Sequence, residues 1–92
     1  MKIMVDINGT LINNPQSKSI IQLVKALSSD DKFGNKVYAW SNIGSDYAKS
    51  VCIELGIYSF MDGFCSKEDD VGDIDLTIDD EVLEVGKFNL KV

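Results

Sequence analysis

The sequence predicts a small α/β domain, a minimal three-layer fold built on a mostly parallel sheet. Three observations predict it. Short β-rich runs alternate with stretches of helical apolar spacing, the pattern of strands joined by crossover helices. The chain has 92 residues, room for a single domain over 1–92. Its apolar fraction of 45% is that of an ordinary globular core.

The elements follow in order. Residues 2–6 (KIMVD) form a first strand, and Asn8-Gly9 after it is a turn signal. Asn14-Pro15 reads as an N-cap followed by proline at the first helical position. Ile20, Leu23, Val24 and Leu27 then fall on one helical face, with the helix ending within 28–31. Gly34-Asn35 is a turn, and KVYAWS at 36–41 is the second strand. Residues 44–55 form a second helix with Gly56 as its stop. Residues 59–65 form a weaker third strand, and the acidic stretch 66–72 is a loop. DIDLTID at 73–79 is a fourth strand, and 86–92 a fifth at the sheet edge. Right-handed crossovers would place helices on the faces of the sheet. Tyr38 and Trp40 are expected to pack in the core and not to stack on bases.

Composition narrows the function classes. Fifteen acids against nine bases leave a net charge of −6. That balance disfavours nonspecific nucleic-acid binding, which needs a cationic surface to displace counterions. It suits a divalent cation or a cationic partner. There is no histidine, and Cys52 and Cys65 lack zinc-site spacing, so a zinc site is not expected. With no export signal and no membrane-spanning run, the thiols read as buried groups in a reducing cytoplasm.

In open parallel sheets, chemistry collects beyond the carboxyl ends of the strands. Those ends carry Asp6 and Asn8, Ser41 and Asn42, Lys67, and Asp79-Asp80. Together they are the parts of a phosphoryl-transfer site. A carboxylate can attack phosphorus without a base to activate it. The other acids can hold a divalent cation that offsets repulsion from an anionic substrate. A hydroxyl and an ammonium can bind the phosphoryl oxygens. Each residue also has a plainer reading. Asp6 with Asn8-Gly9 could be a turn, Ser41-Asn42 could cap the second helix, and Lys67 in SKEDD could be a solvated lysine. Two acids ending an apolar strand, Asp79 and Asp80, would repel without a cation, which favours a metal there.

Three segments resemble motifs of the haloacid dehalogenase superfamily. VDINGTL at 5–11 is similar to its first motif, D-x-D-G-T; VYAWSN at 37–42 to its second; and DLTIDDE at 75–81 to its fourth. Lys67 falls where the family lysine could lie. The resemblance implies a Rossmann-like fold without a cap domain and Mg²⁺-dependent phosphatase or phosphotransferase chemistry. It implies that Asp6 is the nucleophile and forms an aspartyl-phosphate. Asp79 and Asp80 would hold Mg²⁺ with Asp6 and the backbone carbonyl of Asn8, and Ser41, Asn42 and Lys67 would contact the phosphate.

Asn8 departs from the family pattern, which usually has Asp there as general acid and base. Asn cannot exchange that proton, and losing a general acid–base typically costs about 10²–10⁴ in rate. The expected activity is therefore slow phosphoryl transfer or phosphate ester hydrolysis. The alternative is a degenerate binding module for a phosphorylated ligand or protein. The absence of a cap suits a macromolecular or otherwise large substrate. A protein partner or a second copy is expected to cover the open site or a bare sheet edge. A receiver-like signalling domain fits less well, because here the single acid ends the first strand and the acid pair comes late.

Overall fold

Lys2–Asp6 (β1) is the middle strand of the molecule, with neighbours on both sides. In the computed structural model, which describes residues 1–29 and 34–92, it is followed by Ser17–Ser28 (α1), Lys36–Ser41 (β2) and Ser45–Glu54 (α2). Gly63–Ser66 (β3), Ile74–Asp79 (β4) and Gly86–Lys91 (β5) complete the sheet. The strand order is β3-β2-β1-β4-β5, and every pairing is parallel. This is a small α/β domain with a five-stranded parallel sheet and two helices.

β1 is buried along most of its length, as a strand flanked on both edges and covered on both faces must be. Its alternate side chains enter two clusters. Ile3 and Val5 join Val37, Ala39 and Ile78 on one face. Met4 joins Trp40 and Ile74 on the other, with Tyr38 packed alongside, so both aromatics are core residues as expected.

The layering differs from the expected three. Ile20 and Val24 of α1 and Ala48, Val51 and Cys52 of α2 all belong to the first cluster, so both helices lie on the same face. The steps β1→β2→β3 run in one direction across the sheet, and right-handed crossovers then put both helices on one side. The opposite face would need helices in the returns at 67–73 and 80–85. Those segments hold no helix, and Val71 and Leu83 cover Met4, Trp40 and Ile74 from loops.

Two element boundaries also differ. α1 begins at Ser17 and not at Pro15. Asn14 is spent earlier: its Oδ1 accepts from Gln16 N at 2.8 Å, and its Nδ2 donates to Gly9 O at 2.8 Å. It therefore closes an Asx turn in the loop instead of capping the helix. The third strand starts at Gly63, because Tyr58–Phe60 is a 3-10 turn whose backbone closes Phe60 N to Ile57 O at 3.0 Å. Asp62 then docks the chain onto β2: its N donates to Val37 O at 2.7 Å, and its Oδ2 accepts from Val37 N at 2.8 Å. The expected end of the first helix at 28–31 lies partly outside the described residues.

Cys52 is buried in the first cluster, Cys65 is half-buried beside the second, and both are free thiols. Among the described residues, no helix is long and apolar enough to cross a membrane.

Candidate phosphoryl-transfer site

Strand register gathers the polar residues at one edge. Asp6 lies opposite Trp40, Val5 opposite Ile78, and Ser41 opposite Ser66. Asp6, Ser41 and Asp79 therefore end three adjacent strands at about one level. Lys67 follows β3 directly, and its backbone N donates to Ser41 O at 3.1 Å, which holds the start of the return loop against β2.

Lys67 is the centre of the site. Its Nζ lies 3.0 Å from Asp6 Oδ1 and 2.8 Å from Asp79 Oδ2. Burial works against its charge, but the hydrogen bonds to Asp79 and Asp6 outweigh that and hold its pKa above the ordinary lysine value. The Asp6 carboxyl is raised, chiefly by burial; the bond from Lys67 opposes this and the charge of Asp79 adds to it. Asp6 is also held from its other oxygen, where Thr10 Oγ1 donates to Oδ2 at 3.2 Å. Asp79 is almost wholly buried, and its Oδ1 accepts from Glu81 N at 3.0 Å. Both carboxylates are thus fixed in orientation before any ligand arrives.

Asp80 completes an acidic group. One carboxylate oxygen from each of Asp6, Asp79 and Asp80 lies within 4.8 Å of the others. Three carboxylates against one ammonium leave an uncompensated negative charge in a partly dry site. An all-oxygen donor set of this kind suits a hard divalent cation such as Mg²⁺, Mn²⁺ or Ca²⁺. Gly9 makes room for it. Its φ is +82°, and a Cβ there would sit 2.2 Å from Asp80 Oδ2 and 2.6 Å from Cγ. Only glycine lets the Asp80 carboxylate lie against this turn.

Asp6, Asn8, Ser41, Asn42, Lys67 and Asp80 line one open cleft of about 180 Å³, together with Ile43 and Glu81. All seven residues singled out from the sequence therefore meet: six line the cleft, and Asp79 touches one of them, its Oδ2 2.8 Å from Lys67 Nζ. Ser41 serves both of its readings. Its Oγ accepts from Ile43 N at 3.0 Å, tightening the approach to α2, which leaves its own hydroxyl proton to donate into the cleft. Asn42 is exposed at the mouth, next to the amino end of α2.

Sequence reasoning missed Thr10, Gly9 and Tyr47. Thr10 and Gly9 sit inside the first motif but were given no separate role. Tyr47 carries no sequence signal: its OH donates to Asn8 Oδ1 at 2.8 Å across 39 positions of chain. No protein-family model, curated protein or solved structure matches this chain.

Proposed function

We propose that this chain is a capless, Rossmann-like member of the haloacid dehalogenase type that transfers a phosphoryl group to Asp6 with the help of Mg²⁺, and releases it slowly. The observation that carries the reading is Lys67 joining Asp6 and Asp79 beside Asp80 at the carboxyl edge of the sheet. A surface ion pair would not need a third acid, nor a glycine that admits it.

The roles follow from position. Asp6 Oδ attacks phosphorus, and the bond to the leaving oxygen breaks with its electron pair going to that oxygen. Lys67 and the Ser41 hydroxyl stabilise charge on the equatorial phosphoryl oxygens. Residues 41–43 run into the amino end of α2, whose unpaired N–H groups favour an anion there. Thr10 holds the attacking carboxylate in line. Asp6, Asp79 and Asp80 would hold Mg²⁺, and its chemistry there is to neutralise the charge between carboxylate and phosphate. Hydrolysis of the aspartyl-phosphate then needs a base on water, and Asn8 offers none.

The test is intact-mass spectrometry after incubation with acetyl phosphate and Mg²⁺, with released phosphate counted in the same tube. The expected result is a persistent phosphoryl adduct, lost in Asp6→Asn and without metal. One observation favours a second reading, a phosphate-binding module without turnover: Asn8 is tied to Tyr47 and has no acid function. Neither adduct nor released phosphate from folded protein would establish that reading instead.

A further inference from the structure

Asn8 Oδ1 is engaged by a residue from another element, which bears on what the site can accept. Tyr47 is the third residue of α2, and its ring packs against the main core cluster. Its hydroxyl donates to Asn8 Oδ1 at 2.8 Å. Asn8 borders the cleft, whereas Tyr47 does not. A carboxamide is planar, with oxygen and nitrogen on opposite sides. With its oxygen engaged by Tyr47, the amide has Nδ2–H₂ left to offer to the cleft that Asn8 lines. Position 8 can therefore donate a hydrogen bond but cannot release its proton.

We propose that the Tyr47–Asn8 pair sets the substrate class of this site: phosphoryl donors whose leaving group departs without a proton, acyl phosphates and aryl phosphates, to the exclusion of alkyl esters. The proposal rests on the aspartyl-phosphate reading above. In the transfer step the Asp6 O–P bond forms and the P–O bond to the leaving group breaks. With an acyl phosphate the product is a carboxylate, and with an aryl phosphate a phenolate. Both are weak enough bases to leave as anions, steadied by the Asn8 N–H. An alkyl ester must expel an alkoxide, which needs a proton during cleavage. Among the residues lining the cleft, Asp80 and Glu81 bear carboxylates, Lys67 Nζ is already bonded to Asp6 and Asp79, and Ser41, Asn42 and Asn8 are too weakly acidic to supply one. Tyr47 is a positioning residue: it acts on substrate only through the amide it orients.

The experiment measures the first-turnover rate of leaving-group release, and adduct formation by mass, with Mg²⁺. The donors are acetyl phosphate, a series of substituted phenyl phosphates and glycerol 3-phosphate. The wild-type chain should react with the first two kinds, its rate falling steeply as the phenol becomes more basic, and give no adduct with the third. Asn8→Asp should flatten that dependence and raise the reaction with glycerol 3-phosphate by about 10²-fold or more. Tyr47→Phe, which keeps the ring, should lower the rate with phenyl phosphates by about 3- to 10-fold, the worth of one hydrogen bond, with little change in KM. In an Asn8→Ala background it should have no further effect. Equal wild-type rates for alkyl and acyl donors would overturn the proposed selectivity while leaving Asp6 chemistry intact. A Tyr47→Phe loss that persists in Asn8→Ala would overturn the positioning role. No adduct from any donor, in the wild-type chain or in Asn8→Asp, would overturn the underlying reading as well.

Discussion

Gly9 and Lys67 carry the sharpest consequences at the scale of single residues. Gly9→Ala meets two obstacles: a left-handed φ of +82°, and a Cβ 2.2 Å from the Asp80 carboxylate. The backbone term alone costs about 1–2 kcal/mol. Asp80 must also swing out of the acidic group. The expected outcome is a lower urea midpoint together with a weaker stabilisation by Mg²⁺. A Mg²⁺ effect equal to that of the wild-type chain would show that Asp80 is not a ligand. Lys67→Met removes the cation that bridges two buried carboxylates, whose side chains are 8% and 1% exposed. Breaking a buried pair from one side costs about 3–5 kcal/mol. That loss should appear in metal-free buffer and be partly recovered by a divalent ion. A loss under about 1 kcal/mol would mean that the pair is effectively solvated. The acids at positions 6, 79 and 80 were legible from the sequence because each ends or follows an apolar strand. Lys67 was not separable from its charged neighbours in SKEDD. Its role depends on the hydrogen bond to Ser41 O, a contact between distant parts of the chain.

At the scale of elements, the helix on the covered face and the strand at the β5 edge behave oppositely. α1 reaches the core through a narrow stripe in which Ile20 and Val24 are fully buried, while Leu23 is 40% exposed. Ile20→Ala should cost about 2–5 kcal/mol in chemical denaturation, since it leaves a cavity in the main core cluster. β5 is exposed along most of its length, and Phe88 is 69% exposed. Phe88→Lys should change stability by less than about 0.5 kcal/mol and reduce self-association at high concentration. A large destabilisation would mean that Phe88 packs more closely than its exposure indicates. Strand β2 was read to the residue because both of its ends carry clear signals. The third strand was misplaced because Tyr58, Phe60 and Met61 look like strand residues. Tertiary hydrogen bonds from Asp62 to Val37 decide instead where pairing begins.

For the whole molecule, the acidic edge couples stability to pH and to metal. Burial holds the metal-free Asp6 carboxyl above its ordinary value, against the pull of Lys67 and with the help of Asp79. A folded-state pKa above the unfolded one means that folding favours the protonated form. That contribution is complete below the ordinary carboxylate range and is lost as pH rises through the raised value. A divalent cation competes with the same proton, so it should stabilise most where Asp6 is ionised. Mg²⁺ is expected to raise Tm clearly at pH 7 and little at pH 4. Equal gains at both pH values would place the ion away from these carboxylates.

Local signals in the sequence determined the parallel α/β plan, the five strands and the acids at the strand ends. Apolar runs, turn glycines and charge placement act over a few residues, and such signals survive without knowledge of contacts. Tertiary structure alone decided three things. Both helices lie on one face, because β1, β2 and β3 step in one direction and the later returns are too short to carry a helix. Lys67 turns inward to join Asp6 and Asp79. Asn8 Oδ1 accepts from the Tyr47 hydroxyl of α2. Each of these is a meeting of residues far apart in the chain, and hydrogen bonding and crossover handedness act only once those residues are brought together.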